Sequence, residues 1–218
     1  MKHQAEVKND PLEEGVLPQR MREKRAPRPP TARQLREIAR RYVERYIPSV
    51  VQTETVLWRK VKRATGLLKD GSEAGPVIDA IITEFTARKI LDDDRLARAL
   101  VAEYHRRGDP RHTIRGKLMR KRIPSDISAE ALKLLDDSVR ETGRDPQRQR
   151  AIAYAKRRRL GVFQRDPVRR AKRREKDLGA LARAGVRWAM AKEIVDHDDE
   201  DELLEELDPV RQDDDTED

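Results

Sequence analysis

Three consecutive aspartates and an arginine, Asp92-Asp93-Asp94-Arg95, are the residues of this sequence that most suggest chemistry. Carboxylate clusters of the D-D-x-x-D kind hold magnesium against a diphosphate, because magnesium takes a few carboxylate oxygens together with substrate phosphates. The spacing here does not fit that task. The third acid follows immediately, residues 95–97 are Arg-Leu-Ala, and no second acidic cluster lies in the basic body of the chain. A simpler reading is a helix start. One aspartate caps the first turn, and its neighbours sit where negative charge meets the helix dipole.

The other candidates for chemistry are equally poor. The four histidines, His3, His105, His112 and His197, form no H-x-x-x-H or other metal-ligand pair, and His105 sits beside Arg106 and Arg107. They are expected to be solvated or incidental. G-x-S-x-G, P-loop, G-x-G-x-x-G and kinase motifs are all missing, and cysteine is absent, so there is no thiolate site. The sequence therefore predicts no catalytic residue, metal or cofactor: this chain is not expected to be an enzyme.

The bases are the remaining signal. Arg115, Lys117, Arg120, Lys121 and Arg122 crowd one segment; Lys156, Arg157, Arg158 and Arg159 a second; Arg169, Arg170, Lys172, Arg173 and Arg174 a third. Charged helix faces are usually just solvated, but these are of one sign over a long stretch. Residues 196–218 hold fourteen acids against the single base Arg211, a net −13. In a chain of net +8, that leaves +21 on the other 195 residues. Such a body suits a polyanion, either nucleic acid or an acidic protein surface.

The elements that carry these groups read as helices throughout. Charged residues make up 41% of the 218, and the hydrophobic set only 36%. That suits thin helical layers, each burying one stripe, better than one thick core. Thr31 with Gln34 fits a capping box, and Leu35, Ile38, Ala39, Tyr42 and Tyr46 follow on one face before Pro48. A second helix is expected at about 52–65, and a third from Pro76 with Val77, Ile78, Ile81, Ile82 and Phe85 inward. The pattern recurs. One helix is expected over 93–107 with Leu96, Leu100 and Tyr104 at steps of four. Another follows Pro110, and a third follows Pro124-Ser125 with Ile127, Ala131, Leu134 and Leu135. A last round covers 147–160, 167–184 and 187–196.

Aligned on their middle helices, the rounds read KVKRAT (60–65), KLMRKR (117–122) and ALARAG (180–185). Val61, Leu118 and Leu181 each precede an arginine by two positions: Arg63, Arg120 and Arg183. Separations of 57 and 63 residues suit a three-helix repeat. The expected architecture is all-α, with three tandem three-helix modules (31–90, 91–140 and 141–196) in an elongated curved array. A disordered basic arm (1–30) precedes it and an acidic tail (197–218) follows. A single irregular helical bundle is the alternative. Within the tail, ELLEEL (202–207) could form a short amphipathic turn that folds over the basic faces, or stay solvated. No apolar run nears the roughly 20 residues a membrane helix needs, and MKHQAEVKNDPLEEGVLP is no signal peptide. The expected location is the cytoplasm.

Residues 90–123, ILDDDRLARALVAEYHRRGDPRHTIRGKLMRKRI, resemble the most recognisable stretch of the RecX family of bacterial recombination regulators. There, an L-D-D-x-R-F-A helix start precedes a basic I-x-x-x-L-x-x-K-G-I helix. Leu91, Asp92, Asp93, Arg95 and Ala97 match, as do Ile114, Leu118, Lys121 and Ile123. ALARAGVRWAMAKEIV (180–195) is similar to the family's C-terminal L-x-R-R-G-F and closing helix. The resemblance spans roughly 31–196. It departs at Leu96, where the family has an aromatic, at Ala184-Gly185-Val186 for Arg-Gly-Phe, and at Arg122, where glycine is usual.

The resemblance implies a non-catalytic protein of three three-helix units that binds RecA and settles into the groove of its filament on DNA. It implies bridging of protomers and inhibition of ATP hydrolysis, strand exchange and co-protease action, in recombination, DNA repair and the SOS response. Single-stranded DNA is a further candidate partner, no membrane is involved, and a monomer is expected. The partner-binding candidates are Arg63, Arg106, Arg107, Arg115, Lys117, Arg120, Lys121, Arg157, Arg158, Arg169, Arg170, Arg173, Arg174 and Arg183. The alternative function is a helix-turn-helix-like DNA-binding transcriptional regulator, since three-helix units with a basic helix resemble such modules.

Overall fold

The computed structural model describes residues 28–64 and 66–207. The expected arm, apart from Arg28–Pro30, and the last part of the acidic tail lie outside the described residues. Among the described residues there is no β-strand, only an isolated bridge between Leu67 and Glu73. The helices are α1 (Ala32–Tyr46), α2 (Val50–Lys62), α3 (Gly75–Ala87), α4 (Asp93–Arg106), α5 (Arg111–Arg120), α6 (Ser125–Glu141), α7 (Pro146–Arg158), α8 (Pro167–Arg183), α9 (Trp188–Val195) and α10 (Glu200–Glu205).

Three separate cores account for the repeat. The first gathers Leu35, Leu57, Val61, Ile78, Ile81 and Phe85 from α1–α3. The second gathers Val101, Ile114, Leu118 and Leu132 from α4–α6. The third is built on Ile152, Leu178, Leu181 and Ile194 from α7–α9. Val61, Leu118 and Leu181, the apolar members of the aligned triplets, are each fully buried. The fold is thus the expected series of three-helix units, each packed mainly on itself.

Local signals set the boundaries. The first helix of each unit is capped by a side chain: Thr31 in a capping box with Gln34, Asp92 accepting from the Arg95 amide, and Asp145 accepting from the Gln147 amide. The same helices are ended by left-handed residues, Ile47, Gly108 and Arg159. The middle helices of units two and three end alike. Arg122 and Gly185 have positive φ, and the next amide, Ile123 or Val186, bonds back to the Leu118 or Leu181 carbonyl. Arg122 therefore takes, at a steric cost, a conformation that glycine adopts freely.

Several inward faces differ from expectation by one residue. In α4 the buried stripe is Ala97, Val101 and His105, with Leu96, Leu100 and Tyr104 half-buried beside it. In α6, Ala131 and Leu132 are inside and Leu134 is exposed. Tyr46 is exposed because α1 ends there; its ring lies 5.2 Å from that of Tyr42. In α4 the longer Leu96 and Leu100 flank the smaller Ala97 and Val101, which lets neighbouring helices approach.

The acidic segment begins as structure. Asp199 caps α10 through the amides of Asp201 and Glu202, and Leu203 is fully buried in the third core, with Leu204 and Leu207 packed against it. The amphipathic turn expected at 202–207 is present, and it adds a fourth helix to the third unit.

Candidate partner-binding surface

The basic residues divide into those that hold the modules together and those left facing solvent. The joint between units two and three shows the first kind. Gly108, left-handed at the end of α4, lies so close to α7 that a Cβ there would fall 2.1 Å from the Tyr154 amide nitrogen. Against this contact, Arg150 of α7 bonds the Asp136 carboxylate of α6 at 2.7 Å, with both side chains almost sealed from water. Arg111 bonds the other oxygen of Asp136 at 2.5 Å.

His105 completes the network. Its Nδ1 is 3.2 Å from Arg150 Nη1, and its Nε2 is 3.1 Å from the Gln149 side-chain oxygen. Arginine can only donate, so Nδ1 accepts and Nε2 carries the proton. Burial holds the imidazole pKa below its usual value, against the bond His105 donates to Gln149. His105, expected to be incidental, is therefore a neutral core group. It turns inward because α4 presents its His105 edge to α7. Gln149 in turn donates to the Glu206 carbonyl at 2.8 Å, linking α10 to the same joint.

Asp109 forms a second lock. Its buried carboxylate takes Lys117 of its own module and Arg157 of the next, the latter at 3.1 Å. Burial raises its pKa, but the two cations outweigh that and hold it below the usual range. Lys117 also lies 4.4 Å from the Tyr104 ring centroid.

The joint between units one and two uses the aspartates. Asp92 caps α4, and hydrogen bonding by the Arg95 amide lowers its pKa. Asp93 is buried and accepts from the Val50 amide at the start of α2, at 3.0 Å; burial pushes its pKa up. Asp94 stays exposed in the first turn. The three carboxylates thus serve as cap, inter-module bond and dipole partner, and do not converge. The Ser49 hydroxyl donates to the Lys121 carbonyl at 2.7 Å across the same joint. Among the described residues no group of His, Asp and Glu is placed to hold a metal ion, and no helix is long and apolar enough to cross a membrane.

The fourteen sequence-derived candidates fall on both sides of this division. Lys117 and Arg157 belong to the Asp109 lock. Arg107 pairs with Glu103, Arg173 with Asp177, Arg174 with Asp196 and Glu175, and Arg170 with Asp198 and the His197 carbonyl. Arg63, Arg106, Arg115, Arg120, Lys121, Arg158, Arg169 and Arg183 form no ion pair among the described residues. Arg115 lines a cleft of about 460 Å3 between units two and three, with Arg111, His112 and Arg140 on one side and Ala184, Gly185 and Val186 on the other. The α5 N-terminus opens on this cleft without a side-chain cap. Sequence reading missed Arg111, Asp109, Asp136 and Arg150; the pairing of acids and bases from different helices leaves no short-range signature.

Known proteins resemble the chain over this framework. A family model described as RecX, second three-helix domain, matches residues 92–132. The regulatory protein RecX of Myxococcus xanthus (strain DK1622) is 29% identical over 173 residues, which is 78% of this chain and 88% of that protein. The crystal structure of RecX from Lactobacillus salivarius shares the fold, with a TM-score of 0.51 at 17% identity, over 81% of this chain and 96% of that one.

Proposed function

We propose that the chain, which belongs to the RecX family, is a non-catalytic regulator of the RecA recombinase. It binds RecA and the groove of the RecA filament on DNA, lowering ATP hydrolysis, strand exchange and co-protease activity. The observation that carries this reading is the free set of bases across units two and three: Arg106, Arg115, Arg120, Arg158, Arg169 and Arg183. They stand on a framework whose joint between units two and three already consumes Lys117, Arg150 and Arg157.

Contacts from successive modules make the second one intramolecular, so modest module affinities multiply. The joint between units two and three, fixed by buried ion pairs, holds those contacts at constant spacing, which suits a partner that repeats along a filament. The protein acts in the cytoplasm, where RecA and its DNA are found. Co-sedimentation with RecA filaments formed on single-stranded DNA tests the reading. Binding to the RecA filament tighter than to single-stranded DNA alone is expected; tight, sequence-selective binding to duplex DNA alone would favour a transcriptional regulator.

A further inference from the structure

We propose that the outer face of α2, built around Trp58, is a single-stranded nucleic-acid site in which a base stacks on the indole. Trp58 is half-buried, and the edge of its six-membered ring rests on the start of α3, 3.8 Å from where a Cβ on Gly75 would sit. The ring is thus held at its edge and packed against the first core, and it lines a shallow groove, which Val51 and Thr55 extend along the helix. A fixed aromatic of this kind is a stacking platform that tolerates any base, since every base has a π-face.

The charge around the ring selects the ligand. Arg59, Lys62 and Arg63 line the same groove, all exposed and with no ion pair among the described residues. Lys62 Nζ stands 5.7 Å from the Trp58 ring centroid. Arg122 reaches in from the second module, donating to Thr55 Oγ1 at 3.1 Å. Four cations from two modules flank one aromatic, against the single carboxylate of Glu54. Phosphates on either side of a stacked base would meet these cations, with the Lys62 ammonium passing from the ring face to a phosphate oxygen. A duplex has no free base to offer, so the site distinguishes single strands from double.

The site needs no recombinase, so its failure leaves the RecA reading untouched, and the reverse also holds. The test is fluorescence titration of the full chain carrying Trp188→Phe, which leaves Trp58 as its one tryptophan, with a dT20 oligonucleotide at several salt concentrations. Quenching that saturates is expected, with affinity falling as salt rises. Lys62→Glu with Arg63→Glu, at exposed positions, is expected to weaken binding at least about tenfold and flatten the salt slope while helical content is unchanged. A 20-base-pair duplex should leave the fluorescence nearly unchanged. No quenching by dT20, or equal quenching by an acidic peptide or by the duplex, would overturn the proposal.

Discussion

The Arg150 guanidinium of the third module and the Asp136 carboxylate of the second lie 2.7 Å apart, with side chains only 8% and 2% exposed. A pair this deep is expensive to break, because losing one partner strands a charge without water. Asp136→Asn is expected to destabilise the protein by about 3–5 kcal/mol. Chemical denaturation measures the loss, and amide exchange is expected to rise first in α6 and α7.

Gly108 is the steric counterpart of that bond. Any Cβ there meets the α7 backbone at 2.1–2.7 Å, and its φ of +69° disfavours L-residues. Gly108→Ala is expected to cost about 3 kcal/mol or more and to splay units two and three. Small-angle scattering and the melting temperature report the two effects. Gly185→Ala is the control: it has a similar φ, but its nearest contact is 3.9 Å away.

Arg122 stands in a left-handed conformation that glycine adopts more freely. Arg122→Gly is expected to relieve strain on the order of 1 kcal/mol, offset in part by glycine's greater unfolded-state entropy and the exposed bond to Thr55. A small rise in melting temperature with unchanged helical content is the expected result.

His105 makes the joint between units two and three sensitive to acid. Its pKa is held low in the folded chain, so the unfolded chain binds the proton more tightly. Stability is therefore full above the unfolded value of about 6.5 and falls as pH drops below it. Asp136, Arg150 and Gln149 face the ring. Melting curves between pH 7.5 and 5, chosen to bracket that value, are expected to show the decline, with a shallower slope in His105→Gln. Asp93 works in the opposite sense: its raised pKa means that protonation at still lower pH favours the folded state.

The sequence disclosed the helices and the three-fold repeat because those rest on local signals: caps at Thr31, Asp92 and Asp145, breaks at proline, and the Val61, Leu118 and Leu181 register. The inner faces were less legible. Apolar spacing in α4 pointed to Leu96 and Leu100, whereas the seam is Ala97–Val101–His105, set by what packs across from it. The candidate surface was legible only in bulk. A run of bases does not show that Lys117 and Arg157 meet on one carboxylate from helices of different modules.

That distinction bears most directly on function. Arg115 and Arg120 are exposed and free, whereas Lys117 holds Asp109. The deciding measurement is DNA-dependent ATP hydrolysis by RecA, titrated with the wild-type chain, with Arg115→Glu plus Arg120→Glu, and with Lys117→Met. The wild type is expected to lower turnover in a dose-dependent way. The double variant is expected to need at least about tenfold more protein, with its melting temperature unchanged. Lys117→Met, which leaves Arg157 on Asp109, is expected to lose stability by about 2 kcal/mol yet to inhibit normally at temperatures where it stays folded. No effect of the wild-type chain on RecA turnover, or full inhibition by the double variant, would contradict the account.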